Sequence, residues 1–136
     1  YMSDLTRTIC LGPAPSRLRD VHAIVVEAQR AALNALRAGA TGRAVDSAAR
    51  DVIAARGYGE QFGHSLGHNL GLAEHEDPGL SQQNDEPLPA GIVETVEPGI
   101  YIPGWGGVRH EDVAVVRSGG VELLSHADAT VEWSAS

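Results

Sequence analysis

Three of the six histidines lie close together in a glycine-rich stretch, residues 63 to 76: His64, His68 and His75. An imidazole can bind a metal, move a proton or donate a hydrogen bond at neutral pH. On a helix the spacing of His64 and His68 would suit a zinc pair, but the HExxH signature is absent and glycine recurs every four residues. On an extended segment His64, Leu66 and His68 would share one face. The alternative is a flexible loop with surface histidines, and the histidines alone do not decide between the two.

Two carboxylates stand within predicted strands. Glu97 comes directly before a Pro-Gly pair, and Glu111 interrupts an apolar run two residues after Arg109. A carboxylate that faces a core is costly unless it is paired or bound to a cation. One interpretation is an ion pair between Arg109 and Glu111 on an exposed strand face. The other is a site for a hard cation, since carboxylates with one imidazole suit Mn²⁺, Co²⁺ or Zn²⁺.

Periodicity predicts an α+β order for the elements that must position these groups. Alternating β-branched residues predict a strand from Asp4 to Leu11, and apolar residues at helical spacing predict a helix from Ser16, as N-cap, to Arg37. A second helix is predicted from about Gly42 to Arg56, ending at Gly57. Further strands are predicted at residues 92–97, 107–117 and 121–124, with a turn from Gly99 to Gly106.

Composition limits the class of protein. A chain of 136 residues with a net charge of -8 and no basic cluster predicts one domain, residues 1–136, that does not bind nucleic acid. No apolar run approaches the roughly 18 residues that a membrane span needs, so no membrane is expected as a partner. Cys10 is the only cysteine, which excludes an internal disulfide and a cysteine zinc site and favours a reducing compartment, the cytoplasm.

Five segments occur in the order in which the pita-bread metallopeptidases carry them. They are Ser-Asp-Leu-Thr-Arg-Thr (3–8), Phe-Gly-His-Ser-Leu-Gly-His-Asn-Leu-Gly-Leu (62–72), His-Glu-Asp-Pro (75–78), Leu-Pro-Ala-Gly-Ile-Val-Glu-Thr-Val-Glu-Pro-Gly-Ile-Tyr (88–101) and Gly-Val-Arg-His-Glu-Asp (107–112). Over nearly its full length the chain most resembles the Xaa-Pro dipeptidase and aminopeptidase P branch. The resemblance implies an N-terminally truncated pita-bread fold, an antiparallel sheet with covering helices, in which the first strand lacks its hairpin partner. His110 stands where these enzymes usually carry an aliphatic residue, facing away from Glu111.

The resemblance also implies a role for each of these residues. The metal ligands would be Asp4, His68, Glu97 and Glu111. His64 and His75 would line the substrate pocket and stabilise the tetrahedral intermediate. Arg109 would orient a ligand carboxylate, and Glu97 would accept the proton. In this family a hydroxide held by two divalent ions attacks a peptide bond next to proline in a dipeptide or short peptide. The expected metal is Mn²⁺ or Co²⁺, with Zn²⁺ as a less favoured choice.

One ligand of the family, an aspartate upstream of the segment at 3–8, is not in this chain. We therefore expect one bound ion rather than two and little or no peptidase activity of the chain alone. We also expect association into a homo-oligomer through the unpaired edge of the first strand. The alternative function is a non-catalytic pita-bread module that binds protein or peptide, which has no need of the four ligands. A creatinase-like hydrolase, which works without metal, is disfavoured for the same reason.

Overall fold

The structure is a computed structural model that describes residues 1–133. The helices are α1 (Ser16–Ala35) and α2 (Gly42–Ala55), followed by a short 3₁₀ turn at Gly59–Gln61. The strands are β1 (Thr6–Arg7), β2 (Cys10–Leu11), β3 (Gly67–Asn69), β4 (Glu76–Leu80), β5 (Val93–Val96), β6 (Gly99–Ile102), β7 (Gly106–Arg117), β8 (Gly120–Leu123) and β9 (Glu132–Trp133). The predicted α+β class is confirmed. None of the described helices is long and apolar enough to cross a membrane.

Both helices lie close to where periodicity places them. The apolar residues that repeat along α1 are completely buried: Val21, Val25, Ala28 and Ala32. The predicted cap of α1 is wrong, because Pro15 is the N-cap and Ser16 is already helical. Thr41 caps α2 by accepting a hydrogen bond from the Ala44 amide at 3.1 Å. The helices therefore begin at defined residues and bury one face each.

The main sheet is built around β7, with which four other strands pair antiparallel. Along one edge, β6 pairs with residues 106–109 and β5 with residues 112–115. Along the other edge, β1 pairs with residues 110–111 and β8 with residues 114–117. The order continues from β5 to β3 and β4, and a separate parallel pair joins β2 to β9. β5 and β6 thus act as one bent strand beside β7.

Two of the strand predictions are wrong in detail. The predicted strand from Asp4 to Leu11 is divided into β1 and β2, because the chain leaves the main sheet at residues 8–9 to pair with β9. The predicted turn from Gly99 to Gly106 begins with β6, and only residues 103–105 turn. Strand pairing uses backbone groups, which glycine keeps, so the glycine content of this segment did not prevent a strand.

The helices cover one face of the main sheet and leave the opposite face to the candidate site. Side chains alternate along a strand, and the even-numbered residues of β7 from 108 to 116 are buried on the side of α1. Gln29 of α1 reaches this face, where it donates hydrogen bonds to Asp112 Oδ2 at 2.9 Å and to the Val96 carbonyl at 3.2 Å. Arg109 and Glu111 therefore project from the other face.

Candidate metal centre

Four candidate ligands meet on this face although they lie far apart in the sequence. Asp4 precedes β1, His68 lies in β3, Glu97 follows β5 and Glu111 lies in β7. Ligand atoms of Asp4, His68 and Glu111 lie within 4.8 Å of one another. The His68 Nε2 atom is 3.3 Å from Glu97 Oε1 and 3.8 Å from Asp4 Oδ2. The fold thus brings together all four residues that the resemblance implies as ligands.

Glu97 reaches the site because the chain bends at Pro98, between β5 and β6. β3 lies so close to β5 that a Cβ atom on Gly67 would overlap the Thr95 carbonyl oxygen. Only glycine fits at this position, and the close approach sets His68, the next residue, beside Glu97. The Thr95 hydroxyl joins the two ligands, because it accepts a hydrogen bond from the His68 amide at 3.0 Å and donates one to Glu97 Oε1 at 3.1 Å.

The hydrogen bonds of His68 fix which ring nitrogen faces the site. Nδ1 lies 3.2 Å from the Asn69 carbonyl oxygen, which can only accept, so Nδ1 carries the proton. Nε2 then directs its lone pair toward Glu97 and Asp4. A metal-binding histidine has this arrangement, with the outer nitrogen donating to a carbonyl and the inner one free to coordinate.

Glu111 provides the strongest electrostatic reason for a cation. Its Oε2 atom accepts a hydrogen bond from the Thr6 hydroxyl at 2.5 Å, while Oε1 is buried with no partner among residues 1–133. Burial raises the pKa of Glu111, the Thr6 hydrogen bond lowers it, and the negative charges of Glu97 and Asp4 raise it again. A divalent cation would pair the unpartnered oxygen and offset the repulsion between the carboxylates. The donor set of three carboxylates and one imidazole therefore fits such an ion.

Arg109 does not form the ion pair with Glu111 that the sequence left open, at least within the described part of the chain. Its Nε and Nη2 atoms donate hydrogen bonds to Thr6 Oγ1 at 3.1 and 3.0 Å. Its Nε atom also lies 3.9 Å from Glu97 Oε2. Arg109 therefore acts on Glu111 through Thr6, which accepts from the guanidinium and donates to the carboxylate.

A cleft of about 920 Å³ adjoins the ligands, and its walls include His64, His75 and Arg109. The ring of His75 lies against that of His68, with centroids 4.1 Å apart. All the residues predicted to act on a substrate therefore line one space together with His68. The expected position of Leu66 is wrong, since Leu66 is completely buried in the core because β3 begins only after it.

The side chains that orient these groups were not predicted from the sequence. Thr6 and Thr95 each donate a hydrogen bond to a candidate ligand, and the Tyr101 hydroxyl lies 3.0 Å from His64 Nε2. All three lie inside the segments that carry the resemblance. A hydroxyl carries no charge that would mark it as part of a site, so its place within these segments was the available signal.

Comparison with known proteins identifies the family. A sequence model of metallopeptidase family M24 matches residues 1–118. This chain belongs to family M24. The matched range includes every candidate ligand and every pocket residue described above, so the site lies wholly within the M24 portion. Membership of the family implies a divalent metal.

The M24 chain is similar to peptidases in both sequence and structure. It is 46% identical over 127 residues to the uncharacterized peptidase YqhT of Bacillus subtilis, a match that covers 93% of this chain and 36% of that protein. It is 45% identical over 128 residues to an Xaa-Pro dipeptidase of Pyrococcus furiosus, covering 94% and 37% of the two chains. The crystal structure of an X-Pro aminopeptidase from Thermotoga maritima matches with a TM-score of 0.94 and 45% identity, over 98% of this chain and 38% of that one.

These matches confirm the predicted resemblance and the pita-bread fold. The chain spans little more than a third of the length of the relatives it matches. The roles of individual residues as ligands or catalytic groups stay predictions, as does the single domain over residues 1–136.

Proposed function

We propose that this chain is the part of a metal-dependent peptidase that carries the metal-ligating residues. The peptidase would hydrolyse a peptide bond next to proline in dipeptides or short peptides. The similarity to an Xaa-Pro dipeptidase and an X-Pro aminopeptidase supports this substrate class. The observation that carries the proposal is the meeting of three carboxylates and one imidazole beside a cleft large enough for a short peptide. The chain alone is expected to bind one divalent ion and to hydrolyse peptides slowly or not at all.

The proposed metal is Mn²⁺ or Co²⁺, with Zn²⁺ as the third choice. Oxygen-rich donors with one imidazole suit these ions better than metals that prefer thiolates. The residues that would hold the ion are Asp4, His68, Glu97 and Glu111. An ion bound there supplies a Lewis acid for the scissile carbonyl and lowers the pKa of water.

The other polar groups of the cleft would handle the proton and the substrate. The Oε1 atom of Glu97 accepts a hydrogen bond from the Thr95 hydroxyl. Its Oε2 atom would accept the proton of the attacking water. His64 and His75, which both line the cleft, would hold the scissile carbonyl and stabilise the negative charge that develops on its oxygen. Arg109 would keep the carboxylate of Glu97 in place, since the two side chains lie 3.9 Å apart.

Metal content of the purified chain after dialysis against Mn²⁺ tests the proposal. We expect one tightly held ion per chain in the wild type and none in Asp4→Ala or His68→Ala. Asp51→Ala and His126→Ala replace exposed residues of the same types and should keep the ion. Circular dichroism of each variant verifies that the loss of the ion does not reflect loss of the fold.

Hydrolysis of an Xaa-Pro dipeptide by the same samples addresses the alternative, a non-catalytic module. An ion that is bound in the wild type and lost in both ligand variants supports the metallopeptidase assignment even where turnover is slow. A folded wild-type chain that holds no ion would overturn the assignment and favour the module that binds protein or peptide without chemistry.

We further propose a homo-oligomer in the cytoplasm, with a short peptide rather than nucleic acid or membrane as the partner. The net charge of -8 supports the exclusion of nucleic acid. β1 is an edge strand, and Leu11 and Trp133 nearby are 75% and 53% exposed, which favours association. The free thiol of Cys10 supports a reducing compartment.

A further inference from the structure

The loop that carries His64 has almost no secondary structure of its own, and two side chains of α2 bind its backbone instead. Arg50 donates a hydrogen bond from Nη1 to the Phe62 carbonyl at 2.8 Å and one from Nη2 to the His64 carbonyl at 2.9 Å. Asp46 accepts a hydrogen bond from the Leu66 amide at 3.1 Å. Three backbone groups of residues 62–66 are thus satisfied from one helix, as buried backbone groups require.

The two side chains of α2 also hold each other. Arg50 donates from Nε to Asp46 Oδ2 at 2.8 Å and from Nη2 to Asp46 Oδ1 at 2.9 Å. Asp46 is completely buried, so this pair is not the solvated surface ion pair that an i, i+4 spacing usually gives. A paired guanidinium fork has a fixed geometry, and the loop that bonds to it takes on a fixed shape.

Arg50 also influences the imidazole of His64 indirectly, because the aromatic ring of Phe62 lies between them. The Arg50 guanidinium lies 4.2 Å from the centroid of the Phe62 ring. The rings of Phe62 and His64 meet edge to face, with centroids 5.1 Å apart. The side chain of His64 is therefore packed against a ring that the guanidinium itself covers.

The backbone bonds determine which nitrogen of His64 carries the proton. In the trans peptide between Ser65 and Leu66, the amide and the carbonyl point in opposite directions. Asp46 holds the Leu66 amide, and the Ser65 carbonyl on the other side of that peptide lies 2.7 Å from His64 Nδ1. Since a carbonyl only accepts, Nδ1 carries the proton, and Nε2 accepts from the Tyr101 hydroxyl at 3.0 Å.

We propose that Asp46 and Arg50 are positioning residues that hold the His64 imidazole in one orientation and one tautomer at the wall of the cleft. The inference deepens the proposed function, because it rests on His64 as a group that meets the substrate. Neither residue lines the ligand cluster, and both act on His64 only through the loop at residues 62–66 and the ring of Phe62.

The tautomer of His64, measured by long-range ¹H–¹⁵N NMR of the imidazoles, tests this directly. Arg50→Lys keeps a positive charge beside Asp46 but cannot reach both carbonyls at once. In the wild type we expect the Nδ1–H form of His64, and in Arg50→Lys a shift of its ¹⁵N signals toward a mixture of tautomers. Arg43→Lys is the matched control, since Arg43 lies on the same helix in an exposed pair with Asp85 and should leave His64 unchanged. His64→Gln assigns the signals.

Two results would overturn the inference: an Nε2–H form in the wild type, or the same His64 signals in the wild type and in a folded Arg50→Lys. If Arg50→Lys does not fold, the double variant Asp46→Asn/Arg50→Gln takes its place, because it removes both charges of the buried pair together and leaves no buried charge unpaired. Unchanged His64 signals in the folded double variant would then overturn the inference. A chain that holds no Mn²⁺ but shows the tautomer shift would refute the proposed peptidase and still support the positioning role, so the two failures are distinguishable.

Discussion

Replacing Glu94 by glutamine should remove a pH dependence from the stability of this chain. Glu94 lies in β5, is completely buried, and has no hydrogen-bond partner at either carboxylate oxygen among the described residues. Its cross-strand neighbours, Asn69 and Ala114, carry no charge. Burial raises the pKa of Glu94 to about 8. At neutral pH the folded chain therefore keeps this carboxyl protonated, whereas the unfolded chain ionises it.

The size of the effect follows from the linkage between proton binding and folding. Between the ordinary pKa of 4.5 and the folded value of about 8, the folded chain holds one proton that the unfolded chain has lost. The free energy of unfolding then falls by about 1.4 kcal/mol for each unit that the pH rises. The stabilising contribution is fully present below the lower value and is lost above the upper one. From pH 5 to pH 7 the loss is about 3 kcal/mol, a large part of the stability of a small domain.

Urea unfolding followed by circular dichroism at pH 5 to 9, with a chelator present, measures this effect. The stability of Glu94→Gln relative to the wild type should rise by about 1.4 kcal/mol per pH unit from pH 5 to 8 and then level off. Groups that titrate in both proteins, such as Glu111 and His110, cancel in the difference. Glu60→Gln, at an exposed position, should follow the wild type throughout. Parallel profiles for Glu94→Gln and the wild type would refute the reasoning, because the folded carboxyl would then be paired or hydrated.

Three further changes test the site, the sheet and the surface. Thr6→Val removes the hydroxyl that orients Glu111 and should weaken Mn²⁺ binding about tenfold in isothermal titration calorimetry. Gly67→Ala forces a Cβ atom against a carbonyl oxygen of β5 and should cost about 3 kcal/mol in urea unfolding, whereas Gly63→Ala meets open space and should be tolerated. Leu11→Arg places a charge on the exposed apolar pair of Leu11 and Trp133, near β1, and should convert an associating wild type into a monomer in sedimentation velocity.

For each of these three predictions, one experimental outcome would contradict it. Unchanged Mn²⁺ affinity in Thr6→Val, with the exposed change Thr130→Val as control, would mean that the ligand carboxylate does not depend on that hydroxyl. Equal stability of the two glycine variants would mean that β3 and β5 do not approach closely in solution. A wild-type chain that stays monomeric at high concentration would contradict the association regardless of how Leu11→Arg behaves.

The long periodic segments could be predicted from the sequence, as could the four-residue strands β5 and β8, whereas β3, β4 and β6 could not. α1, α2 and β7 each contain at least twelve residues, enough for a repeat to show. β1, β3 and β4 have two to five residues each: β1 forms by pairing with β7, which is distant in the sequence, and β3 and β4 form by pairing with each other and, for β3, with β5. β6 contains a glycine that favours a turn, and its pairing with residues 106–109 of β7 overrides that local preference.

In the candidate site, too, the sequence indicates the residues of local motifs but not the contacts that depend on tertiary packing. The charged candidate ligands stand out within the quoted motifs, but their surroundings depend on packing. Asp46 and Arg50, four residues apart on a helix, predict a solvated pair, and only the loop that packs over them makes the aspartate buried. Glu94 is equally hidden in the sequence, because β5 is covered on both faces and has no alternation to mark its burial.

The shortness of β1 has a consequence for how fast a bound ion would leave. The segment around Asp4 is joined to the main sheet by the pairing of this two-residue strand with residues 110–111 and by the contact of Arg7 with Asp112 at 2.6 Å, and the Met2 amide donates a hydrogen bond to the Gly71 carbonyl at 2.9 Å. A two-residue strand has few ladder hydrogen bonds and opens locally at a small fraction of the free energy of global unfolding. Ion exchange would therefore follow the local opening of β1, and it should outpace amide hydrogen exchange in β7. The residence time of the ion is then set by this short strand, whereas the stability of the fold is set by its core.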